Sequence, residues 1–189
     1  NSLTSRPITN IVFMGMGEPL LNLENVAGAI DILTDDLGLS LSHRKITVST
    51  AGMANKLNEF SKQIKANLAV SLNATTDASR TRLMPINQKY DLKKLMTELA
   101  AFPLAARKRI TFEYIMLDGI NDQKEDALRL IKLLYGLRYK INLIPYNGYP
   151  GSPYKSSSGE KISEFQKILL DKNINTMIRH SRGQDILAA

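Results

Sequence analysis

Residues 10–20 read NIVFMGMGEPL, an apolar run that ends in a loop of two glycines, one carboxylate and one proline. The apolar residues are mostly β-favouring, which is typical of a strand buried in a parallel sheet. The loop leaves bare backbone and the charge of Glu18 where that strand ends. Ligands of α/β proteins bind at the carboxyl ends of parallel strands, so this loop is the first candidate for a functional site.

Strand and helix patterns alternate along the rest of the chain. The predicted strands span residues 10–14, 45–49, 67–72, 109–116, 140–144 and 175–179. The predicted helices span residues 23–37, 53–65, 92–102, 122–134 and 161–170. This alternation predicts an α/β fold built from right-handed βαβ units around a parallel sheet. Because no linker or shift in composition divides the sequence, we expect one domain over residues 1–189.

The amino-acid composition limits the partners and cofactors that this chain could bind. Lys and Arg number 25 and Asp and Glu 18 among 189 residues, a formal net charge of +7. That balance favours anionic partners such as nucleic acid or phosphorylated metabolites, although solubility alone would also account for it.

There is no cysteine, and the two histidines, His43 and His180, are far apart, so these residues exclude thiolate ligation of iron–sulfur clusters or zinc. No apolar run approaches the ~20 residues of a membrane helix, and we expect a cytoplasmic protein.

Small and polar residues also follow the other predicted strands, at 49–52 (STAG), 71–73 (SLN), 118–122 (DGIND) and 145–147 (PYN). Because the carboxyl ends of parallel strands share one edge of the sheet, we expect these groups to converge there. Two roles are open for the hydrogen-bonding side chains: contact with a ribose, a carboxylate or an adenine edge, or capping of strand ends and turns. The residues concerned are Ser49, Ser71, Asn73 and Asn147.

Glu18 is the one early carboxylate expected at that edge. It could accept hydrogen bonds from a ligand ammonium group, or it could be an N-terminal carboxylate that interacts favourably with the dipole of a nearby helix. The Gly15-x-Gly17 spacing is part of a dinucleotide-binding fingerprint, but Leu20 stands at the position of the third glycine. The sequence therefore gives little support to a Rossmann site.

Three further segments stand out by length or charge. Residues 148–159 exceed the ~2–6 residues of a usual α/β connection, which predicts a lid or binding loop, or else a mobile surface loop. Residues 179–185 concentrate positive charge after the last predicted strand. His43 and the basic cluster 107–109 precede strands, so we place them at the opposite edge and interpret them as solvated.

Seven motifs resemble, in order along the chain, those of the radical S-adenosylmethionine RNA methyltransferases of the RlmN/Cfr type. They are 14–20 (MGMGEPL), 45–52, 71–73, 84–87 (MPIN), 114–118 (YIMLD), 142–147 and 182–186 (RGQDI). Glu18-Pro19 is similar to the RlmN branch, whose members methylate carbon 2 of adenosine in 23S rRNA and in certain tRNAs. The Cfr branch has Ala after this Glu.

The resemblance implies a partial, TIM-type (β/α)6 radical-SAM barrel that binds S-adenosylmethionine. The implied cofactor contacts are Gly17, Glu18, Ser49, Ser71, Leu72, Asn73 and Asn147. Glu18 would bind the methionine ammonium group, and the serines and Asn147 the polar groups of the nucleoside and the carboxylate. The chain departs from the family pattern at Asn73, where the family usually has His, a change that a backbone contact would tolerate.

The resemblance also implies features on both sides of this sequence. The family's CxxxCxxC motif, which holds a [4Fe–4S] cluster, would precede Asn1, and its methyl-carrying cysteine would follow Ala189. We therefore expect the central barrel of such an enzyme, truncated at both ends, with no catalytic or metal-binding residue in this chain and no activity by itself. The implied partners are 23S rRNA and tRNA, and the candidate RNA contacts are Lys155, Arg179 and Arg182.

Two other functions stay open from the sequence. One is a basic RNA-binding barrel domain without catalysis. The other is a metabolic barrel enzyme for a phosphorylated substrate, although the sequence lacks a convincing phosphate loop and an acid–base pair. Cysteines on either side of this sequence would favour the methyltransferase.

Overall fold

The computed structural model describes residues 8–179, in which strands and helices alternate. The strands are β1 (Ile11–Phe13), β2 (Ile46–Thr50), β3 (Asn67–Ser71), β4 (Ile110–Met116), β5 (Tyr139–Pro145) and β6 (Thr176–Ile178). The α-helices are α1 (Leu23–Thr34), α2 (Leu57–Gln63), α3 (Asp77–Leu83), α4 (Leu92–Ala101), α5 (Lys124–Leu133) and α6 (Gly159–Leu170). Short 3₁₀ turns occur at Pro19–Leu21, His43–Lys45, Ala54–Lys56 and Pro85–Gln88.

The six strands form one parallel sheet in the order β1-β2-β3-β4-β5-β6. Each strand lies beside the one before it in sequence, and right-handed crossovers in that order place every helix on the same face of the sheet. A doubly wound sheet would instead reverse its strand order and carry helices on both faces. The predicted α/β architecture is confirmed, with helices outside and the inner face of the sheet free of them.

The sheet curls, and Arg179 shows how far. This residue follows β6, and its Nη1 lies 3.9 Å from the sulfur of Met14, which follows β1 at the opposite end of the strand order. The same nitrogen is 3.9 Å from Oε1 of Glu113 in the middle of β4. One side chain can reach both only because the outer strands bend towards each other. Among residues 8–179, β1 and β6 do not pair, so the structure is a partial barrel.

The apolar core lies between the outer face of the sheet and the helices. On β4 the core side chains alternate, and Tyr114 stacks on Phe165 of α6 with ring centroids 5.5 Å apart. Thr111 and Glu113, which alternate with the core residues along β4, are buried and polar. Since successive side chains of a strand point to opposite faces, these two face the inside of the barrel. The fold therefore has an apolar outer layer and a polar interior.

The structure differs from the sequence prediction most clearly at α3, which was not predicted. Thr76 caps this helix by accepting a hydrogen bond from the backbone N–H of Ser79. Its one buried residue is Arg80, so the helix carries no apolar stripe that a periodicity argument could detect. The first helix is also shorter than predicted, because Asp35 accepts the N–H of Leu37 and ends it in a turn.

Candidate functional site

The C-terminal edge of the sheet comprises the ends of β1 to β6 and the loops that leave them. Glu18 links two of these ends. Its Oε1 accepts the N–H of Leu20 at 3.1 Å, which caps the 3₁₀ turn Pro19–Leu21, and its Oε2 accepts the N–H of Ala51 after β2 at 2.7 Å. Glu18 thus lies at the N-terminus of a helical turn, as one of its two predicted roles requires. The half-buried carboxylate also joins the glycine loop after β1 to the end of β2.

The glycine loop presents bare backbone, as the sequence predicts. Gly17 has a φ of +88°, in the left-handed region that favours glycine, and a Cβ added to it would meet no atom within 4 Å. The position faces open space beside Glu18. The backbone here is therefore accessible to a ligand.

Ser49 and Ser71 lie on the inner face. Ser49 Oγ donates to the carbonyl of Phe13 at 3.1 Å, which ties β2 to β1. Ser71 ends β3, is half-buried, and pairs in register with Glu113 on β4. Both side chains alternate with core residues of their strands, so both serines face the inside of the barrel.

Leu72 and Asn73 take part in the fold in ways that the sequence did not reveal. The side chain of Leu72 is wholly buried in the core, and its backbone N–H donates to the carbonyl of Glu113 on β4 at 2.9 Å. Asn73 adopts a φ of +58°, and its Oδ1 accepts the N–H of Ile115 at 3.0 Å. Its carbonyl accepts Nδ2 of Asn121 at 2.8 Å. Both residues thus brace β3 against β4, and their cofactor contacts stay predictions.

The remaining candidates are spread around the same edge. Asn147 is half-buried just after β5, and Lys155 is exposed in the long loop that follows. The carbonyl of Lys155 accepts the N–H of Asp118 at 2.9 Å, so the loop crosses the end of β4. Arg179 follows β6 and points inward, whereas Arg182 lies outside the described residues.

The long loop 148–159 is pinned to the C-terminal edge. Ser156 forms a β-bridge with Leu117, and Ser157 Oγ donates to Oδ2 of Asp122 at 2.9 Å. Burial by itself would raise the pKa of Asp122, but hydrogen bonds, led by that of Ser157, and the ammonium group of Lys161 at 3.4 Å bring it below its ordinary value. Asp122 is therefore an ionised anchor for the loop.

Arg80 is the residue at this edge that the sequence analysis missed. It is fully buried, and its guanidinium donates to four acceptors. They are the carbonyls of Ala51 at 2.7 Å, Ser71 at 3.2 Å and Leu72 at 3.2 Å, and Oδ1 of Asn87 at 3.0 Å. One cation thus holds together the ends of β2 and β3, where four of the predicted cofactor residues lie (Ser49, Ser71, Leu72 and Asn73).

The surroundings of Arg80 keep it charged and in place. Burial lowers its pKa to about 10, with Asp77 acting in the opposite direction, so it is protonated at neutral pH. Gly52 has a φ of +103°, and a Cβ there would lie 2.8 Å from Nη2 of Arg80. Glycine at this position leaves the room that the guanidinium occupies. The sequence offered no sign that Arg80 is buried while Arg82, two residues later, is exposed.

A second unpredicted feature is a buried pair on the inner face. Glu113 and Asn142 are 4% and 8% exposed, and Asn142 Nδ2 donates to Glu113 Oε1 at 2.9 Å. Oε2 of Glu113 and Oδ1 of Asn142 have no hydrogen-bond partner. Burial raises the pKa of Glu113, opposed by the hydrogen bond from Asn142 and by the charges of Arg179 and Lys140. A proton on Oε2 of Glu113 would make this oxygen a donor, the kind of group that Oδ1 of Asn142 lacks.

Residues 8–179 contain neither a cluster of metal ligands nor a membrane-spanning helix. Within that range, no three or more His, Cys, Asp and Glu side chains gather closely enough to hold a metal ion. The same residues contain no helix with the length and apolar character that a membrane crossing requires.

Curated proteins of one name are similar to this chain over almost its whole length. No protein-family model matches the chain. RlmN from Syntrophotalea carbinolica, named a dual-specificity RNA methyltransferase, is 51% identical over 188 residues, which cover 100% of this chain and 51% of the relative. The protein of the same name from Geotalea uraniireducens is 51% identical over 97% of this chain and 53% of its own. The chain thus spans about half the length of the curated relatives that it matches.

Two solved structures have folds similar to that of this chain. The crystal structure of a radical SAM methyltransferase from Sphaerobacter thermophilus matches with a TM-score of 0.92 and 39% identity, over 97% of this chain and 54% of that one. A domain of a pyruvate-formate lyase-activating enzyme from Bacteroides vulgatus matches with a TM-score of 0.66 over 90% of this chain and 98% of that one. At 20% identity, the second match supports the fold alone.

The fold and the similar proteins together identify this chain as the barrel of a radical SAM methyltransferase. Radical SAM methyltransferases are a class of enzymes. Within that class, the chain is an RlmN-like segment, similar along its whole length to the curated RlmN proteins.

We predict that Arg80→Lys destabilises the fold, because an ammonium group cannot reproduce the planar fork that reaches four acceptors. A loss of about 3 kcal/mol in the free energy of unfolding is expected, or roughly 6–12 °C in Tm. Thermal unfolding followed by circular dichroism measures it. Arg82→Lys, on the exposed side of the same helix, is the control and should leave Tm unchanged. Equal Tm values for both variants would contradict the bracing role of Arg80.

We predict that Glu113→Gln removes a pH dependence of stability. Because the pKa of Glu113 is raised in the folded state, its contribution is fully present below the unfolded pKa of about 4.5 and is lost as pH rises through the folded pKa. Glutamine keeps an oxygen that can accept from Asn142 Nδ2 and stays neutral at every pH. Urea unfolding at pH 5 and pH 8 should show a smaller difference for this variant than for the parent. Glu125→Gln, on the surface of α5, should keep the parental difference, and an unchanged difference in Glu113→Gln would show that the carboxyl group is ionised throughout.

Proposed function

We propose that the chain, one domain over residues 1–189, is the S-adenosylmethionine-binding barrel of a methyltransferase that modifies carbon 2 of adenosine in 23S rRNA and in tRNA. The observation that supports this most is the 51% identity to a named RNA methyltransferase along the whole chain. The convergence of Glu18, Gly17 and the two serines at one edge agrees with a nucleoside cofactor. Activity, substrates and partners of the whole protein are all part of the proposal.

The residues at the C-terminal edge fit S-adenosylmethionine chemically. Each oxygen of Glu18 accepts one backbone N–H, and an ionised carboxylate has about four acceptor sites, so capacity for an ammonium group remains. The open backbone at Gly17 allows a ligand to approach that carboxylate. Ser49, Ser71 and Asn147 would serve the nucleoside and carboxylate groups. When bound, S-adenosylmethionine supplies the methyl group that is transferred.

The chain's own contribution is to bind and orient. Its sequence contains no cysteine, so its residues do not fit the thiolate site of an iron–sulfur cluster. In the proposed enzyme the cluster belongs to other residues, and Arg80 and Glu18 keep the strand ends in the arrangement that the cofactor meets. Reaction geometry of this kind depends on fixed groups, since small displacements cost rate.

The RNA would approach the same edge. Arg179, whose side chain is 51% exposed, and Lys155 can neutralise phosphates around the nucleotide that enters the barrel. Arg182 is a further candidate from the sequence. These contacts would position the RNA, while the barrel interior receives the reacting base.

Glu18→Gln is predicted to weaken S-adenosylmethionine binding to this chain. Loss of a charge-assisted hydrogen bond costs about 1.5–3 kcal/mol, or roughly ten- to a hundredfold in affinity. Isothermal titration calorimetry measures the affinity, and circular dichroism verifies that the variant is folded. Glu24→Gln, on the exposed surface of α1, is the matched control and should bind like the parent. If Glu18→Gln is folded and binds with parental affinity, Glu18 is a cap only.

A cellular assay tests the proposed reaction. The gene that encodes this chain within its native reading frame is expressed in a bacterium whose own RlmN gene has been deleted. Mass spectrometry of nucleosides from purified 23S rRNA and tRNA should then detect 2-methyladenosine, and the Glu18→Gln variant should yield less. Absence of 2-methyladenosine from both RNAs despite normal expression would contradict the proposed activity.

A further inference from the structure

The excess positive charge of the chain lies at the edge of the sheet opposite the candidate site. The segments 42–45, 64–66, 105–109 and 135–138, which lead into β2, β3, β4 and β5, contain seven Lys and Arg residues and no Asp or Glu. Elsewhere the chain has 18 basic and 18 acidic residues, so these seven equal the net charge of +7. We name them the basic edge: Arg44, Lys45, Lys65, Arg107, Lys108, Arg109 and Arg138.

The basic edge is accessible and lacks carboxylate partners. Six of its seven side chains are exposed and Lys108 is half-buried. The ion pairs of residues 8–179 all lie elsewhere: at the start of α2, within α5, at the C-terminal edge and on the inner face. Burial and, after it, the positive charge of Arg44 lower the pKa of Lys108, which agrees with cations crowded together without an anion.

Part of the basic edge is held in a fixed shape. Arg138 donates from Nη2 to the carbonyl of Leu104 at 2.7 Å and from Nη1 to that of Ala105 at 3.3 Å. Lys108 Nζ donates to Oδ1 of Asn67, whose Nδ2 donates to the carbonyl of Arg44 at 2.9 Å. These bonds connect the loops before β2, β4 and β5. The cations therefore sit on a prearranged surface, which reduces the entropy lost on binding.

The surface contains a groove of about 850 Å³ between the loops before β4, β5 and β6. Its lining combines Arg107, Lys108, Arg109 and Arg138 with the amides of Asn173 and Asn175. Tyr135, which is 88% exposed, lies in the loop before β5. Cations, amide donors and an exposed aromatic ring are the groups that contact RNA phosphates, sugars and unstacked bases.

Interaction with helix dipoles does not account for this charge. A cation near a helix C-terminus is favourable, but the effect falls off within the last turn. Arg44, Arg107 and Arg138 come ten, six and five residues after the ends of α1, α4 and α5. These cations must therefore be balanced by solvent ions or by a ligand.

We propose that the basic edge binds the phosphate backbone of the substrate RNA at a segment remote from the reacting adenosine. The inference rests on the proposed function, because it takes RNA as the substrate. Neighbouring strands are about 4.8 Å apart, so the cations from β2 to β5 span roughly 14 Å, enough for several phosphates of one RNA strand. A small phosphorylated metabolite would engage only part of such a surface.

The test compares two triple variants of the 189-residue chain. Arg44→Gln, Arg107→Gln and Arg109→Gln together remove three of the seven charges of the basic edge, at residues whose side chains are exposed. Arg82→Gln, Lys93→Gln and Lys124→Gln remove three exposed charges from α3, α4 and α5 outside that edge. The probe is a fluorescein-labelled RNA stem-loop of about 20 nucleotides, and fluorescence anisotropy gives Kd between 50 and 200 mM KCl.

The basic-edge triple should weaken RNA binding at least tenfold at 100 mM KCl and reduce the slope of log K against log[salt] by about 2–3. The control triple should change affinity less than threefold. Equal losses in both triples, or no loss in the first, would overturn the proposal, as would a poly-glutamate peptide that displaces the RNA as well as unlabelled RNA does. The basic-edge triple should bind S-adenosylmethionine like the parent, so a failure of cofactor binding is scored separately from a failure of this surface.

Discussion

Most of the candidate site depends on the buried guanidinium of Arg80. It is the common partner of the carbonyls that end β2 and β3, and the N–H of Ala51 on the same segment holds Glu18. Without that cation, the carbonyls of Ala51 and Ser71 would lose this charged donor, at a cost of about 1–3 kcal/mol for each group left unpaired. The carbonyl of Leu72 would keep the N–H of Ala74 at 2.8 Å. The loops after three strands are thus connected through two side chains, Arg80 and Glu18. A residue that touches no proposed ligand fixes the geometry of those that do.

Apolar, polar and charged side chains occupy different parts of the barrel. The outer face packs apolar side chains against the helices, whereas the inner face carries Ser71, Glu113 and Asn142 in one row across three strands. At the C-terminal edge Lys161 pairs with the carboxylates of Asp118 and Asp122. The opposite edge leaves its cations unpaired. A polar interior with edges of different charge suits an enzyme whose cofactor and macromolecular substrate both need separate contacts.

The fold class could be predicted because strand and helix periods are local signals, and all six strands were found within one or two residues of their ends. The glycine loop and Glu18 could be found because their residue types are unusual at a strand end. Arg80 could not, because a buried arginine looks like a surface one in sequence and its partners are backbone atoms. Glu113 was hidden inside an apolar strand, and its pairing with Asn142 depends on register between β4 and β5. Cofactor contacts of the predicted residues stay predictions.

The central claim is that the edge braced by Arg80 is where the chain meets S-adenosylmethionine. Titration of the cofactor into the uniformly ¹⁵N-labelled chain, followed by amide chemical shifts, tests it directly. The account predicts shifts concentrated at Gly17, Glu18, Ala51, Ser71 and Leu72, with the loops before β2 and β4 unaffected. Shifts confined to the basic edge, or no shift at millimolar cofactor, would contradict it.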